Sequence, residues 1–297
     1  MKTKLILTVT CLVVIVFAMP LSAADAPAKE GEAQVESSTE LAKQLTNPVS
    51  SLWSIAFQQN NYMLDMGPGE SHWNSNLNFQ PVLPVSLTED WNLITRPVVT
   101  LFSSVPYLDP HNPGDIDRTT AFGDTVLMEL VSPSPKLAGN WLLGLGPTFI
   151  FPTASSQYTG QDKWQVGPAA LVGYLSQKWI LGTLVQNWQS FGGSGNQNVN
   201  QMNLQPIAAY FLPNGWSIGY SGNVLANWKA DKAGDVWTVP LGLGISKVVK
   251  LGPLPVKLQL AGQYMVHHPD IGGQEWNIQL QVAPVIPKLI KGTLFGE

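Results

Sequence analysis

Long runs in which apolar and polar residues alternate constrain the fold of this chain more than any other feature. Between Trp73 and Val85, one side of an extended chain carries mostly apolar side chains and the other carries four amides. The same alternation returns at residues 200–211 and 216–228 and in the last strand-like stretch, 275–287. Because successive side chains of a β-strand point to opposite faces, this pattern predicts an all-β protein.

The lengths of the strands and connections narrow the choice of architecture. The alternation divides the chain into twelve candidate strands, most of about 10–14 residues, where soluble strands centre on about 5–6 and tilted transmembrane strands need about 9–11. Short turns alternate with longer connections, among them 62–72, 103–121 and 153–163. We therefore predict a transmembrane antiparallel up-and-down β-barrel of about 12 strands over residues 51–288, with a soluble β-sandwich as the rival fold.

The charge content agrees with a surface that meets lipid. Only 12% of the residues are charged, against about 25% in an ordinary soluble domain. The formal net charge of -4 provides no basic face, so we expect no nucleic-acid partner. The single cysteine excludes a disulfide scaffold.

The N-terminus predicts export. Lys2 and Lys4 precede an apolar run that ends at Met19, and small residues follow up to Ala24. Residues 1–24 therefore have the order of a secretory signal peptide, with an N-terminal membrane anchor as the alternative. We expect the protein to lie in the outer membrane of a Gram-negative bacterium. Its expected partners are outer-membrane lipid, periplasmic chaperones, the barrel-assembly machinery and an unknown small-molecule solute.

Two segments flank the predicted barrel. Residues 25–50 form a polar tail in which Ser37 and Glu40 fit a capping box, and apolar residues follow at helical spacing until Pro48. This short helix either stands beside the barrel or enters its pore as a plug, and the sequence leaves both alternatives open. Residues 289–297 continue past the last predicted strand as a C-terminal tail.

Tryptophan is placed regularly at the starts of the predicted strands. Indole is amphipathic and settles where one part of the ring stays wet, as at a membrane interface. We therefore predict two interface girdles. The one beside the short turns contains Trp91, Trp141, Trp179 and Trp216, and the one beside the longer loops contains Trp73, Trp164, Trp237 and Trp276.

If the apolar rows face lipid, the inward rows predict a lumen lined mainly by amides. Such a lining suits small uncharged solutes, or else its hydrogen bonds close the interior; general porins instead use rings of charge. Arg96, Glu129 and Lys257 are the main inward charges expected. The predicted amide lining consists of Asn74, Asn76, Asn78, Gln80, Gln186, Gln201, Asn203, Gln205, Asn223, Gln259, Gln279 and Gln281.

No set of residues predicts catalysis, a metal site or a cofactor. The pair His267-His268 is the best candidate, but adjacent residues of a strand point to opposite faces and do not converge on one ligand. We therefore expect a protein that is not an enzyme. A structural or receptor barrel without transport is the second alternative, and an outer-membrane enzyme is the third.

Three segments carry a family resemblance. They are Gly144–Thr148 with Phe151–Ala154, then Lys163–Ala170, and then Trp237–Gly244. Together they resemble the family of outer-membrane proteins of the phenol-degradation meta pathway, over about residues 41–288. The resemblance implies a membrane barrel and uptake of small aromatic or hydrophobic compounds, and it brings no catalytic residues. The sequence as a whole predicts an outer-membrane channel or transporter for small, largely uncharged solutes.

Overall fold

The computed structural model describes residues 38–67, 70–110 and 115–295, so the predicted signal peptide and most of the polar tail lie outside the described residues. Helix α1 spans residues 38–46, and α2 is the single turn Pro135–Ala138. The strands are β1 (Trp53–Asp65), β2 (Ser71–Ser86), β3 (Trp91–Leu108), β4 (Ile116–Phe122), β5 (Thr125–Pro133), β6 (Trp141–Phe151), β7 (Trp164–Leu175), β8 (Trp179–Gly192), β9 (Asn200–Phe211), β10 (Trp216–Tyr220), β11 (Val224–Asn227), β12 (Trp237–Leu251), β13 (Leu254–His267) and β14 (Gln274–Ile286).

These segments form one closed antiparallel barrel of twelve strands, which confirms the predicted fold. Two barrel strands are each interrupted once, so β4 with β5 counts as one strand and β10 with β11 as another. Every strand pairs with its neighbours in the chain, and β1 pairs with β14 to close the barrel. Closure removes the free edges that an open sheet would expose.

The two ends of the barrel differ in their connections. At the turn end, short connections such as 87–90, 176–178 and 252–253 join the strands. Helix α1 and residues 294–295 lie there too. At the loop end, the connections are 66–70, 109–115, 152–163, 193–199, 228–236 and 268–273.

The segment predicted as the loop 103–121 is mostly strand. β3 continues to Leu108 and β4 begins at Ile116, so these two strands form a hairpin that extends beyond the loop-end tryptophans. The Tyr107 hydroxyl donates a hydrogen bond to Asp117 Oδ2 at 2.9 Å across the hairpin, and its ring stacks on Tyr158 of the next loop. The sequence pattern did not show this pairing, because several prolines and aspartates between residues 109 and 117 interrupt the alternation.

Prolines inside the strands are tolerated where a ladder has a gap. Pro147 of β6 lies opposite Pro168 of β7, and both side chains point outward. The ladder between β5 and β6 is interrupted at this level, where Pro147 has no N–H to donate. The preceding Gly146 approaches β5 so closely that a Cβ there would overlap the carbonyl oxygen of Glu129, and Gly167 makes the same approach to β8.

Prolines in the flanking strands also account for the break between β10 and β11. Both halves keep one register against β9, so the break inserts no extra residue into the wall. Pro206 of β9 and Pro240 of β12 flank residues 221–223, which reduces the number of N–H donors at this level. Gly222 has a φ of 136° within the break, a conformation that L-residues with a side chain rarely adopt.

The outer face of the barrel is apolar. Its exposed side chains include Leu145 and Leu241, each 67% exposed, and Val172. From Trp164 to Leu175 the chain rises about 25–30 Å along the barrel axis for a strand tilt near 40°. That height matches the apolar band of an outer-membrane barrel. No helix in the described part of the chain is long and apolar enough to cross a membrane.

Candidate functional site in the barrel lumen

The interior contains a cavity of about 670 Å³, whose lining extends from the end of α1 to Pro269 and Gly273 at the loop end. Its wall is built mainly from inward-facing residues of β1, β2, β9, β13 and β14. Amide side chains dominate this wall, and among them are Gln58, Asn60, Asn76, Asn78, Gln80, Asn203, Gln205, Gln259, Asn277, Gln279 and Gln281. The sequences of β2 and β14 produce this lining because each places an amide at nearly every second position.

Hydrogen bonds join these amides into a chain around the wall. Gln80 Nε2 donates to Gln58 Oε1 at 3.3 Å, and Gln58 Nε2 donates to Asn60 Oδ1 at 3.2 Å. Asn277 Nδ2 donates to Asn60 Oδ1 at 3.4 Å and to Gln263 Oε1 at 3.3 Å. Such a network fixes the orientation of each amide, so the cavity presents an ordered set of donors and acceptors.

A second polar cluster lies on the opposite wall. Thr148 is fully buried, and its Oγ1 atom accepts hydrogen bonds from Gln186 Nε2 at 2.9 Å and from Trp188 Nε1 at 3.0 Å. Thr148 in turn donates to the carbonyl oxygen of Leu127 at 3.3 Å. These bonds satisfy the polar atoms and leave the indole ring of Trp188 as an apolar surface beside the cavity.

A cluster of apolar side chains lies at the turn end of the lumen. We call this cluster the apolar layer, and it packs around α1. Its buried members are Ala42, Ile94, Met128, Leu130, Leu142, Ala169, Leu171, Ile180, Leu184, Ile207, Phe211 and Val248. Leu41, Leu45 and Val49 pack against the same cluster. Helix α1 therefore lies inside the barrel at its turn end.

Polar contacts hold α1 in this position. Lys257 on the inner wall is buried, and its Nζ atom donates a hydrogen bond to Thr46 Oγ1 at 3.0 Å. The backbone N–H of Gly215 donates to Thr39 Oγ1 at 3.3 Å. Helix α1 ends where Asn47 and Pro48 follow, since a residue before proline disfavours the helical conformation.

The cavity has a basic character. Arg96 and Lys257 are the charged residues among the described residues that line it, and no described acidic side chain lines it. Arg96 Nη2 donates to Gln80 Oε1 at 2.8 Å, while the Nε atom of Arg96 is buried and has no hydrogen-bond partner among the described residues.

The structure places all but one of the predicted lumen residues on the inner side. Glu129 is the correction, because it lies on the outer face beside Thr95, whose Oγ1 donates to Glu129 Oε2 at 2.7 Å. Its neighbours Met128 and Leu130 point inward. Both faces of β5 are apolar, so the sequence did not show which residues of this strand face inward. The prediction that the Glu129 charge would avoid lipid was wrong.

The apolar layer was missed by the sequence prediction, which expected a lumen lined mainly by amides. β6, β7 and β8 contain apolar pairs such as Leu142-Leu143, Leu171-Val172 and Ile180-Leu181. In a barrel strand, two consecutive apolar residues mean that one of them faces inward. This loss of alternation was the available signal for an apolar filling of the lumen.

The predicted girdle tryptophans point outward at the two ends of the strands. Trp73 and Trp141 are 48% and 55% exposed, and Trp73 meets the Trp276 ring edge-on at 4.7 Å. Lys247 Nζ lies 4.8 Å from the centre of the Trp216 ring, a cation–π contact on the outer face. Their role at a membrane interface remains a prediction.

The loop histidines do not form a site in the described part of the chain. His267 Nε2 lies 2.7 Å from the carbonyl oxygen of Gly234, and His268 Nδ1 lies 2.9 Å from that of Pro269. No group of three or more His, Cys, Asp or Glu among the described residues is arranged to hold a metal ion. In the hairpin of β3 and β4, the hydrogen bond to Asp117 raises the pKa of the Tyr107 phenol.

A closed twelve-stranded barrel with an apolar outer face and a polar cavity defines the class of outer-membrane β-barrels. The chain is similar to the COG4313 outer membrane channel from Pseudomonas putida F1, at 14% identity and a TM-score of 0.57, covering 79% of this chain and 96% of that one. At this identity the similarity shows the fold alone.

Two further similarities are weaker. The transport unit of the autotransporter AIDA-I from Escherichia coli matches at 10% identity and a TM-score of 0.46, covering 85% of this chain and 97% of that one. The Pseudomonas putida toluene transporter TodX matches at 10% identity and a TM-score of 0.39, covering 84% and 93%. No protein-family model and no curated protein matches the sequence, so the resemblance to the phenol-degradation family remains a prediction.

Proposed function

We propose that the protein is an outer-membrane channel or transporter for small, largely uncharged solutes. The observation that carries this proposal is the amide-lined cavity of about 670 Å³ inside a closed barrel with an apolar outer face. In this proposal residues 1–24 direct export, the turn end faces the periplasm and the loop end faces outward. Periplasmic chaperones and the barrel-assembly machinery would deliver the chain to the membrane.

The chemistry of the lining supports this choice of solute. An amide offers both donors and acceptors without charge, so it replaces water around a hydroxyl or carbonyl group at little cost. Twelve strands enclose an interior between that of small filled barrels and that of 16-stranded porins, which limits passage to small molecules. The apolar layer would contact the hydrophobic part of a solute, in keeping with the small aromatic or hydrophobic compounds that the family resemblance implies.

Helix α1 would act as a removable plug at the turn end. It lies at the turn end of the lumen, and its last residues line the cavity, so in this proposal α1 must move before a solute reaches the periplasm. Its attachment consists of the apolar layer and a few hydrogen bonds, among them those of Thr39 and Thr46. A short helix held in this way can leave the wall without disrupting a strand ladder.

Liposome swelling tests the proposal directly. Liposomes containing the mature protein are placed in isotonic solutions of uncharged solutes of increasing size, and a variant lacking residues 38–46 is compared with the unmodified chain. We expect small solutes to enter, to be excluded above a size limit, and to enter faster through the variant. A barrel that stays impermeable with and without α1 would contradict the proposal.

A barrel with no transport role is the second candidate, and the apolar layer favours it. Twelve buried apolar residues pack together at the turn end, and in this alternative they seal it. If that seal is permanent, the function lies in surface features such as the hairpin of β3 and β4. The same swelling experiment separates the two candidates, because a permanent seal predicts no flux through the unmodified protein under any solute gradient.

A further inference from the structure

The charges inside the lumen are unbalanced. Arg96 and Lys257 line the cavity, and the described lining contains no carboxylate to pair with either of them. Glu129 follows Met128, the cross-strand partner of Arg96, but it points to the outer face and accepts a hydrogen bond from Thr95. An unpaired charge in a protein interior is costly, so its presence marks a candidate binding site.

The two basic residues are not equivalent. Lys257 is occupied, because its Nζ atom donates to Thr46 at the end of α1 and its side chain is buried against the helix. Its ammonium group also lies near the C-terminal end of that helix, where the helix dipole favours a cation. Lys257 therefore has a structural partner, and Arg96 is the basic side chain left for a ligand.

The surroundings of Arg96 keep its guanidinium oriented and incompletely satisfied. A guanidinium has five N–H donors, and one hydrogen bond, to Gln80 Oε1 at 2.8 Å, is made to the described residues. The Nε atom is buried without a partner. Gln80 is itself held by Gln58, so the amide oxygen that orients Arg96 does not turn away freely.

The remainder of the local wall carries no charge. Apolar side chains lie beside Arg96 in the cavity lining, contributed by Val82, Val98, Val126 and Met128. Amides continue above them along β1 and β2. A ligand that matched this lining would have one anionic group at Arg96 and an uncharged, partly apolar body.

We propose that Arg96, oriented by Gln80, forms a binding site for the carboxylate of a small organic monocarboxylate within the lumen. A planar guanidinium pairs with a planar carboxylate through two parallel hydrogen bonds, and an amide isostere of the ligand offers no negative charge to this pair. The inference goes beyond the proposed function, because it adds a site for one anionic group to a lumen that otherwise suits uncharged solutes.

The test compares butyrate with butyramide, which have nearly the same shape and differ in charge. Binding of each is measured by isothermal titration calorimetry to the folded full-length protein in an uncharged detergent, at low salt. We expect butyrate to bind at least tenfold more tightly than butyramide. In Arg96→Gln this difference should fall to within about twofold, and in Arg96→Lys it should be intermediate.

Lys247→Gln is the matched control, because it removes one basic residue from the outer face beside Trp216. It should leave the tenfold preference unchanged, which excludes a simple effect of net charge. Equal affinity for butyrate and butyramide in the unmodified protein would overturn the proposal, whether or not any variant folds. A preference that survives in folded Arg96→Gln would overturn it too.

Flux measurements keep this proposal distinct from the proposed function. If the liposomes pass butyramide and the protein does not bind butyrate more tightly, the proposed channel function stands and the carboxylate site is overturned. If the protein binds butyrate more tightly than butyramide but the liposomes pass neither compound, the carboxylate site stands and the proposed channel function is overturned.

Discussion

Lys257 Nζ donates a hydrogen bond to Thr46 Oγ1 at 3.0 Å, and this contact joins the inner wall of the barrel to the last turn of α1. Lys257→Met should weaken the docking of α1 by about 1–2 kcal/mol, since a bond from a charged donor is lost. The expected result is roughly tenfold faster cleavage of the 38–46 segment by an added protease. Lys247→Met, on the outer face, should not change the cleavage rate, and equal rates in all three proteins would contradict the role assigned to Lys257.

The apolar layer gives a second prediction about α1. Ala42 is 1% exposed and packs among Ile94, Met128 and Leu171. Ala42→Glu would bury a carboxylate without a partner, so α1 should leave the lumen while the barrel stays closed. Conductance in planar bilayers should rise by several-fold. Glu40→Gln, at an exposed position of the same helix, should behave like the unmodified protein.

The close approach of β6 to β5 predicts a strong glycine requirement. A Cβ at Gly146 would overlap the carbonyl oxygen of Glu129, so Gly146→Ala should lower the free energy of unfolding by about 1–3 kcal/mol. The measurement is the urea midpoint of heat-modifiable gel migration. Gly262→Ala, where no atom lies within 4 Å of the added Cβ, should shift the midpoint little; similar shifts for both variants would contradict this account.

Glu129 faces the outer surface, where an ionised carboxylate is unfavourable in lipid. Glu129→Gln retains an acceptor for Thr95 and removes the charge, so the free energy of unfolding should rise by about 1 kcal/mol. Thr95→Val removes the donor and should lower it by a similar amount. A clear loss of stability in Glu129→Gln would mean that the carboxylate has a partner outside the barrel.

The edge-to-face pair of Trp73 and Trp276 should contribute beyond the area that each ring buries. Their ring centres lie 4.7 Å apart, and such pairs contribute about 0.5–1.5 kcal/mol. A double-mutant cycle with Trp73→Ala and Trp276→Ala, read by urea unfolding in detergent, should give a coupling energy in this range. The distant pair of Trp91→Ala and Trp276→Ala should be additive, and a comparable coupling there would argue against a direct ring contact.

The sequence predicted the barrel because β2, β9 and β14 separate an apolar face from an amide face. Where that contrast exists, it indicates whether each side chain faces inward or outward. The amides from Asn74 to Gln80 lie on the inner side, as expected from it. Where both faces are apolar, as in β5, the sequence does not show which face of the strand lines the lumen. Glu129 was misplaced for this reason, and the apolar layer was missed for the same one.

The site was less predictable than the fold. Arg96 and Lys257 were both expected to point inward, but their separate roles depend on which of them α1 reaches. A helix of nine residues can dock in many ways. Its apolar periodicity does not indicate which strands of the barrel it contacts. The pairing of Lys257 with Thr46 joins residues 211 positions apart, a separation that no local pattern encodes.

The closing ladder between β1 and β14 has a consequence for folding kinetics. It brings together residues such as Asn60 and Asn277, separated by 217 positions, so the barrel cannot close before β14 has been synthesised. Contacts of such separation make folding slow. Until β14 pairs with β1 and β13, these two strands expose unpaired edges that favour aggregation. A chain truncated before Gln274 should therefore accumulate as an aggregation-prone species with two open edges, and never as a smaller closed barrel.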